Sequence, residues 1–153
     1  LSRRASVVLD ETTSGACVDH RYMTNVDGIF SCGNVLHIHD LADWASDEGE
    51  RAGTHAAAFA LGEDVASERD RVRIEPGAGV RYVVPQTAQR TPDELLLSFR
   101  VNEPSDNRTA EVVAGGQVLA TESLRHAHPA TMVQMRVRCE DGLDVDRLEV
   151  RLA

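Results

Sequence analysis

The segment 24–34, TNVDGIFSCGN, constrains the fold more than any other part of the chain. Val26–Gly28 is typical of a turn, and Ile29–Cys32 is an apolar run, bounded by glycines, that is too short for a helix. This run is therefore predicted to be a buried strand. Gly33 and Asn34 then end the strand and lead into an acidic, alanine-rich stretch. Such a corner brings backbone N–H groups close to a ligand, because Gly33 has no Cβ.

The alanine-rich stretch predicts one helix that begins between Asp40 and Asp43 and ends at Gly62. Either aspartate is expected to cap the helix through its side chain. Negative charge in the first turns, including Asp47 and Glu48, suits the positive end of a helix dipole. Apolar side chains recur on one side of this helix at helical spacing, namely Leu41, Trp44, Ala45, Ala52, Ala56 and Phe59.

Upstream of this segment, the apolar run Ala5–Leu9 predicts a further short strand. Asp10–Gly15 is expected to be a polar loop, after which Cys17–Asp19 is expected to pair back. Residues 1–64 are therefore predicted to form a small α/β region with a few strands and one helix.

From about residue 70 onward, apolar and polar residues alternate with period two, which predicts strands. Gly115–Gly116 lies between two valine-containing runs and predicts a two-residue hairpin. About seven strands are expected, near residues 71–75, 80–84, 94–101, 109–114, 117–125, 131–139 and 147–152. Residues 66–153 are therefore predicted to form an antiparallel β-sandwich of immunoglobulin-like shape, with a small barrel as the alternative. The fold class of the whole chain is expected to be α+β.

The composition of the chain limits the kinds of partner it can bind and the compartments in which it is expected to occur. The net charge of −9 disfavours nucleic acid and anionic membranes as partners. No apolar run approaches the roughly 20 residues of a membrane span. The three cysteines form no C-x-x-C motif, and their odd number without a leader sequence is typical of a reducing cytoplasm.

The corner segment resembles the last FAD-contacting segment of two-dinucleotide-binding flavoprotein oxidoreductases, the superfamily of thioredoxin reductase and the pyridine nucleotide-disulfide oxidoreductases. The pattern in that superfamily is T-x-x-x-G-x-(F/Y)-x-x-G-D, and the residues that match it here are Thr24, Gly28, Phe30, Gly33 and, in place of Asp, Asn34. The longer run Cys32–Leu41, CGNVLHIHDL, is similar to a subgroup of flavin-dependent oxidoreductases from anaerobic bacteria. In that subgroup Asn also replaces Asp, and an all-β tail follows.

The resemblance implies that the chain is the C-terminal part of an enzyme that transfers hydride or electrons between NAD(P)H, FAD and an unidentified acceptor. The residues implied to contact the cofactor are Gly33, Asn34, His37, His39 and Asp40. Asn34 retains a hydrogen-bonding oxygen for a ribityl hydroxyl but lacks the charge of the usual carboxylate. The glycine-rich pyrophosphate loop of such enzymes does not occur in this sequence, so FAD binding and activity are not expected from these residues alone.

Two other functions remain open at this stage. His37 and His39 alternate on an extended segment beside Asp40, and these three residues would suit a metal-dependent hydrolase. Alternatively, the β-sandwich is a non-catalytic interaction module. Residues 1–62 would lack the rest of a parent sheet, which would leave strand edges and an apolar helix face exposed. These surfaces are expected to be buried by packing against the sandwich or by homo-oligomerisation.

Overall fold

The computed structural model describes residues 1–63, 71–90, 92, 94–139 and 145–153, and the chain divides into two compact units, Leu1–Arg69 and Asp70–Ala153. The predicted boundary between residues 64 and 66 lies outside the described residues. One α-helix and two β-sheets are present in the described parts, which agrees with the predicted α+β class. No helix in these parts combines the length and apolar character that a bilayer crossing requires.

The N-terminal unit contains little regular strand. It begins with a 3-10 helix over Ser2–Ala5, and a second 3-10 helix spans Gly33–Val35. The strand predicted at Ala5–Leu9 is therefore wrong, because Ala5 ends a helix and Ser6 then adopts a left-handed conformation (φ 60°). Isolated bridges replace the predicted strands, joining Leu9 to Ala16, Val18 to Thr24 and Met23 to Phe30.

The predicted strand Ile29–Cys32 is reduced to the single bridge at Phe30. A strand needs a neighbour with which to form a ladder of hydrogen bonds, and no longer ladder involves this run in the described residues. The turn before the run is present, since Ile29 N–H donates to the Val26 carbonyl at 3.0 Å. The turn was therefore predicted correctly, but the buried strand was not, because Ile29–Cys32 pairs at one residue only and is partly exposed.

Helix α1 spans Ala42–Ala60 and lies where the sequence predicts it. Its N-cap is Leu41, whose side chain makes no capping hydrogen bond, so the prediction that Asp40 or Asp43 occupies the cap position is wrong. The C-terminal end follows the Schellman pattern, in which Glu63 N–H donates to the Ala58 carbonyl at 3.0 Å. Gly62 supplies the left-handed residue of that motif, with φ 75°.

The C-terminal unit is made of strands. Its described residues contain eight strands, namely β1 (Arg71–Pro76), β2 (Val80–Val84), β3 (Thr87–Gln89), β4 (Glu94–Val101), β5 (Ser105–Ala114), β6 (Gln117–Ala127), β7 (Val133–Arg138) and β8 (Arg147–Leu152). Seven of them confirm the predicted positions, and the short β3 was not predicted. The Gly115–Gly116 hairpin is confirmed, since Ala114 pairs with Gln117 and both glycines have positive φ.

The strands form a five-stranded sheet, ordered β3-β1-β8-β5-β6, and a three-stranded sheet, ordered β2-β4-β7. Strand β1 runs parallel to β8, with Ile74 opposite Leu148, so the prediction of a wholly antiparallel arrangement is wrong. Alternation reports which face of a strand is buried and carries no information on strand direction. Fully buried side chains from both sheets, including Val72, Phe99 and Val150, share one apolar core.

Candidate functional site

The candidate site is built around one buried carboxylate, that of Glu48 on α1. Glu48 is only 5% exposed, because it lies four residues from both Trp44 and Ala52 and therefore on the inward face of the helix. Its Oε1 accepts a hydrogen bond from the backbone N–H of Gly33 at 2.6 Å. This bond fixes the orientation of the carboxylate and ties α1 to the glycine corner.

Two histidines meet the other carboxylate oxygen. Oε2 of Glu48 lies 2.9 Å from Nε2 of His37 and 3.2 Å from Nε2 of His39. The two imidazoles contact each other edge to face, with ring centroids 4.4 Å apart. Their side chains are 0% and 2% exposed, so both rings are effectively shielded from water. The donor atoms of His37, His39 and Glu48 all lie within 4.8 Å of one another.

The 3-10 turn at Gly33–Val35 explains why two consecutive residues of the following loop point inward. Leu36 N–H and His37 N–H both donate to the Gly33 carbonyl, at 2.8 and 3.3 Å. This turn buries Leu36 and His37 and leaves Val35 and Ile38 exposed. His39 N–H then donates to Oδ1 of Asn34 at 3.0 Å. The His39 side chain thereby lies on the same side of the loop as that of His37, next to Glu48.

Backbone packing against Gly15 holds this loop in place. Leu36 is 1% exposed, and its carbonyl oxygen lies where a Cβ on residue 15 would be. Gly15 is itself buried, and its carbonyl accepts a hydrogen bond from Asp10 N–H at 2.9 Å. The absence of a side chain at Gly15 therefore allows the loop that carries both histidines to pack directly against the backbone of residue 15.

Tyr22 and Cys32 both interact electrostatically with the Glu48 carboxylate. Burial, reinforced by the negative charge of Glu48, raises the pKa of Tyr22 to about 12, even though Arg51 opposes the shift. Burial and then the charge of Glu48 also raise the pKa of the Cys32 thiol. All three cysteines, Cys17, Cys32 and Cys139, are free thiols. A raised pKa reduces the thiolate fraction at neutral pH, so Cys32 is poorly suited to act as a nucleophile.

A buried ion pair between Asp19 and Arg21 stabilises the turn that contains Tyr22. Asp19 and Arg21 are each 3% exposed. Oδ2 of Asp19 accepts hydrogen bonds from Nε and Nη2 of Arg21, at 3.2 and 2.8 Å. Oδ1 of Asp19 accepts from the backbone N–H groups of Arg21 and Met23. These bonds fix the turn in which Tyr22 adopts its positive φ of 66°.

The structure brings together four of the five predicted site residues. Gly33 and Asn34 form the corner, and His37 and His39 lie directly behind it. Asp40 is exposed, and the group of potential metal ligands in the described residues consists of His37, His39 and Glu48 instead of including Asp40. The carboxylate that meets the imidazoles is that of Glu48. Its position on the apolar side of the predicted helix was the signal in the sequence that identifies it.

Comparison with known proteins gives no match to a family model, to a curated protein or to a solved structure. The function must therefore be argued from the corner motif and from the geometry of the residues around it.

The raised pKa of Tyr22 leads to an expected loss of stability at alkaline pH. Between the ordinary phenol pKa and about 12, the unfolded chain loses the proton of Tyr22 while the folded chain keeps it. The folded state then binds more protons, so the free energy of unfolding falls as pH rises, by about 2 kcal/mol for this group. Tyr22→Phe should remove that component from urea-unfolding curves recorded across this range. Equal alkaline losses in the two proteins would contradict the assignment.

Proposed function

We propose that residues 1–62 form one wall of the FAD site of an oxidoreductase of the pyridine nucleotide-disulfide type. The enzyme passes hydride or electrons between NAD(P)H, FAD and an acceptor, and a segment outside these residues supplies the remaining flavin contacts. The observation that carries the proposal is the open corner at Gly33. Gly33 has φ +70°, and apart from its chain neighbours no atom of the described residues lies within 4 Å of the place where its Cβ would be. The corner therefore faces space that a ligand can approach.

Asn34 provides the polar contact of this corner. It is exposed, and its Oδ1 is already engaged by the N–H of His39. The amide NH₂ is then the group that meets a ribityl hydroxyl, as a donor instead of the acceptor expected from the superfamily pattern. An Asp at this position has no such donor, so the Asn changes the direction of the hydrogen bond while preserving the contact.

The start of α1 provides the electrostatic contribution. The N-cap residue of this end is Leu41, whose apolar side chain makes no capping hydrogen bond and is 54% exposed. The backbone N–H groups of the first turn therefore keep the partial positive charge of a helix N-terminus. In the proposed complex this end faces the pyrimidine side of the isoalloxazine and stabilises the negative charge of a reduced flavin.

Exposed apolar side chains follow the corner in sequence, and their exposure supports the proposal that a ligand or another protein segment covers this surface. Val35, Ile38 and Leu41 are 69%, 70% and 54% exposed, although a polar surface would be normal for a loop. An open cavity of about 510 Å³ lies beside the corner, and Phe30 and Val35 are among the residues that line it. This volume falls within the range of small-molecule sites. The aromatic ring of a flavin or the adjoining protein segment would cover these side chains.

We assign the two-sheet unit an assembly role. Its shape is proposed to be that of an immunoglobulin-like sandwich, which in the intact enzyme joins copies of the chain into a homo-oligomer. The free thiols at Cys17, Cys32 and Cys139 support a cytoplasmic location for this enzyme, because oxidising compartments favour disulfides.

Flavin content tests this proposal directly. Protein isolated from its native source is expected to carry about one FAD per chain, measured by fluorescence of the flavin released on denaturation. Asn34→Ala should weaken FAD retention about fivefold, the equivalent of one hydrogen bond of about 1 kcal/mol. Asn34→Asp should retain FAD because it restores the residue of the superfamily pattern. Glu50→Ala, an exposed change on α1, serves as the control. Native protein that contains no flavin and stays colourless with added FAD would refute the proposal.

A further inference from the structure

We propose that His37, His39 and Glu48 form a binding site for a divalent transition-metal ion, with Zn²⁺ as the representative case. The site is separate from the proposed flavin contact, since it lies behind the corner and takes none of its ligands from Asn34. Two imidazole nitrogens and one carboxylate oxygen are typical ligands for zinc and its transition-metal neighbours. Calcium and magnesium favour sets of oxygen ligands, so they fit this site poorly.

The distances between donor atoms suit a common metal ion. With metal–ligand bonds of about 2.0–2.1 Å, two ligands of a tetrahedral ion lie about 3.3 Å apart. Oε2 of Glu48 is 2.9 Å from Nε2 of His37 and 3.2 Å from Nε2 of His39. Both distances from the carboxylate are therefore within a few tenths of an ångström of the separation between two ligands of one ion, and the donor atoms of all three residues lie within 4.8 Å of one another.

The state of His39 is an independent indication of a ligand. Its side chain is 2% exposed, yet neither ring nitrogen makes a hydrogen bond within the described parts of the chain. Nε2 lies near Glu48, but without the alignment of a hydrogen bond. Burying a polar group without a partner costs about 1–3 kcal/mol. A metal ion at the shared Oε2 supplies the missing partner for Nε2 of His39.

The surrounding hydrogen bonds orient the proposed ligands. Gly33 N–H holds Oε1 of Glu48 at 2.6 Å, which leaves Oε2 directed at the two imidazoles. Asn34 Oδ1 holds the backbone of His39 at 3.0 Å. Such outer contacts commonly fix metal ligands in place before the ion arrives. Three protein ligands leave at least one coordination position for water or another small ligand, as in catalytic zinc sites.

Metal titration of the 153-residue chain tests the site. After treatment with a chelator and its removal, Co²⁺ is added and the visible absorbance of tetrahedral cobalt is followed; Zn²⁺ affinity is then measured by competition with a chromogenic chelator. We expect one ion per chain. His39→Ala should lower the affinity by about 100-fold or more, since even the loss of an outer contact costs 10–100-fold. Because His39 makes no hydrogen bond through its ring, this variant is expected to fold.

The second His-x-His pair of the chain provides a matched control. His126 and His128 are exposed on or next to β6, and the double variant His126→Ala/His128→Ala should bind metal as the unchanged chain does. Glu48→Gln provides a second test of the ligand set, because it keeps the size of the side chain and removes its charge. Unchanged affinity in both His39→Ala and Glu48→Gln would overturn the proposal. So would the absence of stoichiometric binding by the unchanged chain, which would leave a hydrogen-bonded His37–Glu48 pair only.

Discussion

Gly15→Ala is expected to destabilise the N-terminal unit by about 3 kcal/mol, at the upper end of what overpacking costs. A methyl group at this position would overlap the carbonyl oxygen of Leu36. The obstacle is backbone and not a flexible side chain, so the loop after Gly33 must move as a whole. Leu36 is followed directly by His37, and the displacement would therefore also separate His37 from Glu48.

Chemical denaturation followed by fluorescence tests this expectation. Trp44, the single tryptophan of the chain, lies on α1 and reports on the N-terminal unit alone. Gly53→Ala is the matched control, because Gly53 lies in the same helix with no atom within 4 Å of its Cβ position. That control should raise stability by up to about 1 kcal/mol through helix propensity. Equal unfolding midpoints for the Gly15→Ala protein and the unchanged chain would show that the loop is not held by this contact.

The C-terminal unit was largely predictable because its strands carry their own signal. Leu95, Leu97 and Phe99 alternate with less buried residues, and each is fully buried in the core shared by two sheets. The Gly115–Gly116 pair fixed the hairpin through its positive φ values. The parallel pairing of β1 with β8 was not predictable, because it joins distant segments and direction is not encoded in alternation.

The N-terminal unit was less predictable because its order depends on single contacts between distant residues. Ala5–Leu9 and Ile29–Cys32 have strand-like composition, yet each pairs at one residue only within the described chain. Propensity is a weak guide when a segment lacks a neighbouring strand.

The histidines and the glycine corner of the candidate site were predicted from the sequence, but Glu48 was not. Its histidines and glycine corner are adjacent in sequence and were identified together. Glu48 was interpreted as charge that favours the helix N-terminus, although its spacing of four from Trp44 and from Ala52 places it on the buried face. A carboxylate at an apolar position of a helix is costly to bury unless it has partners. The partners, Gly33 and His37, lie 15 and 11 residues away, a distance that helical periodicity does not address.

Glu48→Ala is the second change with a large expected effect, a loss of about 3–5 kcal/mol from the free energy of unfolding of the N-terminal unit. The substitution removes the acceptor of the Gly33 N–H and the carboxylate that faces two buried imidazoles. Nε2 of His37 would lose its 2.9 Å hydrogen bond to the carboxylate, and Nε2 of His39 would lose the acidic group that lies 3.2 Å away. Glu48→Gln should cost less, because an amide oxygen still accepts from Gly33 and its NH₂ can donate to a neutral ring.

Glu50→Ala separates this effect from the general consequences of removing a glutamate from α1. Glu50 lies two residues away on the exposed side of the same helix, so its removal should change stability by no more than about 0.5 kcal/mol. The measurements are made with a chelator present and followed by Trp44 fluorescence, so that they report the protein without metal and do not depend on the proposed ion. If Glu48→Ala and Glu50→Ala unfold at the same denaturant concentration, the carboxylate does not organise the corner. If only Glu48→Ala is destabilised, Glu48 is the link that couples helix α1 to the glycine corner and to both histidines.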